Sequence, residues 1–86
     1  MSSTNLIYFA WVRERIGKGE EVLDLPPYVT TVHDLLAYLP SLGEGYAEAL
    51  QQPDMIRVAL DQEHSEHDAE LAGVREIAIF PPMTGG

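Results

Sequence analysis

Not one cysteine occurs in the chain, which excludes disulfides, thiolate metal sites and a cysteine nucleophile. Any sulfur chemistry must therefore be carried on something other than a side-chain thiol. Basic residues are scarce: 5 Lys and Arg stand against 14 Asp and Glu, a formal net charge of −9. Nucleic acid and anionic membrane both require a basic footprint, so neither is an expected partner. A basic protein surface suits the charge better, through electrostatic steering, although a merely solvated acidic surface would carry the same charge. No segment approaches 18 consecutive apolar residues, so none is expected to span a membrane. A basic region followed by a long apolar run is also missing, so no signal peptide is expected and a cytoplasmic location is the default. Repeats and low-complexity tracts are absent. Residues 1–86 therefore read as one domain, ending in a protruding tail over residues 81–86.

What is present begins with β-formers. Asn5 to Val12 reads as a strand with Leu6, Tyr8, Ala10 and Val12 on one face and Ile7, Phe9 and Trp11 on the other. Both faces are apolar, as in a central strand whose outer face needs covering. Met1 to Thr4 are expected to fray. Arg13 to Gly17 reads as a turn or single helical turn stopped by Gly17. Glu21 to Leu25 comes next as a strand, hairpinned to the first and stopped by Pro26 and Pro27. The clearest helix opens at Thr31, a good N-cap, with Asp34 three residues on. Val32, Leu35, Leu36 and Leu39 form its buried stripe, and Pro40 and Gly43 end it. A second, short helix is predicted over Glu44 to Gln52, using Tyr46, Ala47 and Leu50 and closed by Pro53. Met55 to Leu60 is a strand with Ile56, Val58 and Leu60 on one face. A polar stretch with a weak edge strand comes after it, then a last strand over Arg75 to Phe80. One main helix across a mixed four- or five-stranded sheet is an α+β domain, and this order is that of the β-grasp. The first and last strands should lie parallel in its centre.

On that arrangement Phe9 and Phe80 lie side by side, facing away from the helix, as an apolar patch at the root of the tail. Exposed aromatic patches mark protein interfaces, and Arg13 is placed to rim this one. The competing reading is that neighbouring loops fold over it. His64 and His67 share an acidic loop but lack the set of firm ligands that a metal needs. No serine has a nucleophile context and no phosphate loop is complete. Catalytic side chains are thus not visible, and any chemistry falls to Gly86.

The chain ends Phe80-Pro81-Pro82-Met83-Thr84-Gly85-Gly86. The prolines stop the last strand and stiffen the start of the tail. From Pro82 the chain can reach at most ~17 Å. Gly85 and Gly86 have no side chain to pack and pay the largest entropy on ordering, so packing does not explain them. Threading a narrow channel to present a terminal carboxylate does, the competing reading being a frayed terminus that happens to end in Gly-Gly. That carboxylate is ionised at neutral pH and is a poor acyl donor until it is adenylated.

Glu76 to Gly86 closely resembles the ending of the small subunits of molybdopterin synthase, ubiquitin-like sulfur carriers. Their pattern is Glu-Val-Ala-apolar-Phe-Pro-Pro-Val-x-Gly-Gly, with Ile77 and Met83 here in place of the two valines. Tyr8 to Glu14, Thr31 to Leu36 and Ala59 to Glu63 resemble further segments of that family. One departure is Gly73-Val74-Arg75, where the family has an Asp-Gly-Asp turn. The resemblance implies that a ubiquitin-activating-like adenylyltransferase uses ATP to adenylate Gly86, which becomes a thiocarboxylate. It further implies that Pro81, Pro82, Met83, Thr84 and Gly85 insert into the large subunit, within a heterotetramer. There the sulfur attacks a pyranopterin precursor, with the catalytic residues on the large subunit. The carrier itself binds no cofactor. A carrier for thiamine or tRNA thiolation and a ubiquitin-like protein modifier are the rival readings.

Overall fold

A computed structural model describes residues 3–82 of the chain. Strand β1 (Ser3–Tyr8) leads into helix α1 (Ala10–Ile16), then β2 (Glu20–Asp24), α2 (Val32–Tyr38), a 3-10 turn (Leu39–Leu42) and α3 (Glu44–Ala49). A second 3-10 turn (Pro53–Met55) precedes β3 (Arg57–Leu60), β4 (Glu63–Ser65) and β5 (Glu76–Phe80). The sheet has five strands in the order β2-β1-β5-β3-β4. β1 pairs antiparallel with β2 and parallel with β5, Leu6 opposite Ile77 and Tyr8 opposite Ile79. The first and last strands are thus the central pair of an α+β, β-grasp sheet.

Alternation along these strands builds the core. Leu6 and Tyr8, Ile77 and Ile79, and Val58 and Leu60 all turn to the helical side and are buried. Val32, Leu35, Leu36 and Leu39 meet them from α2 and the turn after it. Each such aliphatic side chain contributes ~1.5–3 kcal/mol by leaving water. The start of α2 is fixed by a reciprocal cap. Thr31 Oγ1 accepts the Asp34 N–H at 3.1 Å, while Asp34 Oδ2 accepts the Thr31 N–H at 3.2 Å.

The first strand differs from its sequence reading at both ends. Ser3 and Thr4 are not frayed, since they pair with Asp24 and Leu23 of β2; Met1 and Ser2 lie outside the described residues. At the other end the strand stops at Tyr8. Phe9 still donates its N–H to the Ile79 carbonyl at 3.1 Å, but Ala10 takes φ 52 and turns the chain into α1. Ala10, Trp11 and Val12 are therefore helical. Val12 is fully buried because α1 closes one end of the core. Gly17, at φ 93, caps α1 in the left-handed conformation expected of it, donating to the Arg13 carbonyl.

The helix count differs in consequence, with three α-helices among the described residues where one main and one short helix were expected. α3 is also shorter than its reading. It buries Tyr46 and Ala49, with Leu50 buried just beyond its end, and leaves Ala47 exposed. β3 begins at Arg57 because Pro53–Met55 forms a 3-10 turn before it. Asp61 and Gln62 both have positive φ, 49 and 72, the two-residue hairpin geometry whose twist matches antiparallel strands. They connect β3 to β4, the weak edge strand of the sequence reading.

Candidate functional site

The face of the sheet opposite the helices runs toward the end of β5. Across it Ile7 stands beside Ala78, Ala78 beside Ala59, and Ala59 beside His64. None of these four residues is buried, since no described helix covers that face. At its end the Phe9 and Phe80 rings meet edge to face, with centroids 6.3 Å apart. Phe9 keeps 47% of its surface exposed. The His64 ring lies against Phe80 at 5.7 Å, so the edge strand borders the patch without covering Phe9. Arg57 pairs in register with Phe80 and adds a cation to the rim.

Arg13 sits on α1, and its guanidinium packs against Gly19. A Cβ added at Gly19 would come within 3.1 Å of the Arg13 Nε. Arg13 therefore borders Phe9 through its backbone, whose N–H points to the Phe9 carbonyl at 3.3 Å. His67 Nε2 lies 2.8 Å from the Ile56 carbonyl oxygen, and no group of three potential metal-binding side chains occurs among the described residues.

Pro81 and Pro82 are half-buried as they leave β5. Pro82 forms one wall of a shallow groove of about 200 Å³, shared with Trp11, Arg15, Gln52 and Met55. The Arg15 guanidinium stacks over the Trp11 ring, 4.4 Å from its centroid, as the i,i+4 spacing on a helix permits. Met55 is 52% exposed. The tail root is thus flanked by two apolar surfaces, one on the sheet side and one on the helical side. Sequence reasoning missed the second, although the four-residue spacing of Trp11 from Arg15 and of Val12 from Ile16 was a helical signal. Met83, Thr84, Gly85 and Gly86 lie outside the described residues.

A polar knot ties the helices to the central strand. The Tyr8 and Tyr46 hydroxyls each donate to Glu21 Oε2 at 2.6 Å, and Lys18 Nζ reaches Oε1 at 3.2 Å. Burial alone would raise the Glu21 carboxyl, but the bonds from Tyr46, Tyr8 and Lys18 outweigh it and hold it below the usual range. Burial first, then the bond to Glu21, pushes both phenols above theirs. The knot joins α3 and the α1–β2 loop to β1.

At Gly73-Val74-Arg75, the departure from the family's Asp-Gly-Asp turn, Gly73 takes φ 79 and Val74 donates to the Leu71 carbonyl at 3.0 Å. Asp61 Oδ1 then accepts the N–H groups of both Arg75 and Glu76 at 3.0 Å. A side chain from the β3–β4 turn thereby anchors the start of β5.

A sequence model of the ThiS family matches residues 6–86. The molybdopterin synthase sulfur carrier subunit of Haemophilus influenzae is 32% identical over 95% of this chain and 98% of its own length. The corresponding subunit of Escherichia coli is 32% identical over 94% of this chain and 96% of its own. Among solved structures, SAMP1 from Haloferax volcanii superposes with a TM-score of 0.70 at 28% identity, covering 99% of this chain and all of that one. No described helix is long and apolar enough to cross a membrane.

Proposed function

The chain belongs to the ThiS family, and from that premise we propose that it is the sulfur carrier subunit of a molybdopterin synthase. The observation that carries this reading is the near full-length likeness to two such subunits, in a chain whose central strand runs straight into Phe80-Pro81-Pro82-Met83-Thr84-Gly85-Gly86. The working atom is the carboxyl carbon of Gly86. An adenylyltransferase joins that carboxylate to AMP from ATP, releasing pyrophosphate. A sulfur nucleophile then displaces AMP, leaving a thiocarboxylate. This group is a better nucleophile than a carboxylate and suits attack on a pyranopterin precursor held by the large subunit. Hydrolysis afterwards restores the carboxylate. Phe9, Phe80 and Arg13 border the docking surface for the partner, and Pro81 to Gly85 form the inserted segment.

A second reading, a ubiquitin-like protein modifier, is favoured by the likeness to SAMP1, the small archaeal modifier protein 1 of Haloferax volcanii. Deleting Gly86, or appending one residue after it, tests the carrier reading against an inert tail. Either change should abolish sulfur transfer to the precursor in a mixture of both subunits and the activating enzyme, with the melting temperature unchanged. Transfer at the normal rate would overturn the proposal. Isopeptide-linked products in place of a thiocarboxylate would favour the modifier reading.

A further inference from the structure

A chain whose terminus is converted to an acyl adenylate carries its own chemical hazard, because any unprotonated amine nearby can take the acyl group. This chain has 5 Lys and Arg side chains and only one of them, Lys18, is a lysine. Arg13, Arg15, Arg57 and Arg75 remain charged at any physiological pH and are not acylated under such conditions. Lys18 stands in the turn between α1 and β2, with 47% of its side chain exposed. Exposure alone would make it the natural acceptor.

Its surroundings oppose that. Lys18 Nζ pairs with Glu21 Oε1 at 3.2 Å and lies 5.8 Å from the centre of the Tyr46 ring. Glu21 cannot swing away freely, because its other oxygen accepts both the Tyr8 and Tyr46 hydroxyls at 2.6 Å and only 14% of its side chain is exposed. The carboxylate is therefore a fixed counter-ion, unlike that of most surface pairs, whose long side chains are both mobile. We propose that Lys18 is a guarded amine: the one side-chain amine on which an activated carboxyl group can form an amide, held as an ammonium by Glu21 so that it does not compete for the acyl group. The Tyr46 hydroxyl and the Glu21 carboxylate both favour its charged form. In the reaction being suppressed, the amine lone pair attacks the acyl carbon and a C–N bond forms. The C–O bond to phosphate breaks, AMP leaves with the electron pair, and the amine proton passes to water.

The biological sense of this inference rests on Gly86 being activated, but its test does not. The intact protein and a peptide of residues 14–19, which contains Lys18 without Glu21, are each treated with acetyl adenylate near pH 8, and acetylation of Lys18 is tracked by mass spectrometry. Since the free-amine fraction falls tenfold per unit of pKa, Lys18 in the folded protein should react ~3- to 10-fold more slowly than in the peptide. Glu21→Gln, if it still melts cooperatively, should bring the rate to within ~2-fold of the peptide. Equal rates in protein and peptide, or a folded Glu21→Gln protein no faster than the parent, would overturn the proposal. Should Glu21→Gln not fold, the comparison of folded protein with peptide decides alone, equal rates overturning the proposal. Such a failure would leave the carrier reading untouched, because no step of the assay uses Gly86.

Discussion

Phe9 and Phe80, from opposite ends of the chain, meet edge to face at 6.3 Å, and the Phe9 N–H closes the β1–β5 ladder on the Ile79 carbonyl. One contact thus marks both the end of the central strand pair and the point where the tail departs. If this pair is a docking surface, Phe9→Ala and Phe80→Ala should each weaken binding of the large subunit about tenfold or more, ~1.4 kcal/mol. Phe9→Ala, with its ring half exposed already, should lower stability by only ~1 kcal/mol or less. Calorimetric binding set beside thermal melts measures both quantities. Intact affinity with a collapsed melting point would make the pair a core element.

Gly45 is where α3 touches the end of α1. A Cβ there would lie 2.5 Å from the Arg15 carbonyl oxygen and 3.3 Å from the Ile16 Cα. Backbone cannot step aside as a side chain can, so Gly45→Ala should destabilise the protein by ~1–3 kcal/mol. Gly43→Ala meets only the Tyr46 ring, at 3.5 Å, and should fall within ~0.5 kcal/mol of the parent in a urea melt. Equal effects would show that the helices separate easily.

Gln62 carries a φ of 72 in the β3–β4 turn, a region that glycine occupies without steric cost. Gln62→Gly should therefore stabilise by about 0.5 kcal/mol, the relief of strain being partly offset by the added freedom of the unfolded chain. A lower melting temperature would mean that the glutamine side chain supports the hairpin.

Glu21 contributes to the acid limb of stability. Its folded carboxyl is held below the usual range, so its contribution is complete above the unfolded value of about 4.3 and disappears as pH falls through the lower, folded value. Tyr8 works in the opposite direction. Its folded phenol is raised, so its contribution is complete below the unfolded value of about 10 and is lost as pH rises beyond it. Melting temperatures of parent and Glu21→Gln should therefore start to approach one another below about pH 4 and meet once the pH is below the folded value. A gap that persists at pH 2 would place the effect in packing.

Much of the fold was legible from residue patterns, and the exceptions have identifiable causes. The alternation of Ile77 and Ile79, or of Ile56, Val58 and Leu60, pointed to strands, because each short run is bounded by proline or turn residues and leaves no room for a helix. Thr31 and Asp34 announced their cap by the three-residue interval that the reciprocal hydrogen bonds require. Phe9 to Val12 was ambiguous. These residues are mostly strong β-formers, and Val12 continues the alternation of Leu6 and Tyr8 while also standing four residues before Ile16. The left-handed turn at Ala10 decides between the two, and nothing about alanine announces a positive φ. Phe9 and Phe80 could be placed together because parallel pairing of the end strands requires it. The groove of Trp11, Met55 and Pro82 could not, because it depends on the missed helix.

Gly86 is where the sulfur-carrier reading is most exposed, and the mass of the intact protein tests it most directly. The protein is incubated with ATP, a sulfide source and its activating enzyme, and the product is fragmented. Sulfur carriage predicts replacement of one oxygen by sulfur, confined to Gly86, and lost when ATP is withheld. A terminus left unmodified, or found only in amide linkage to a lysine of another protein, would contradict it.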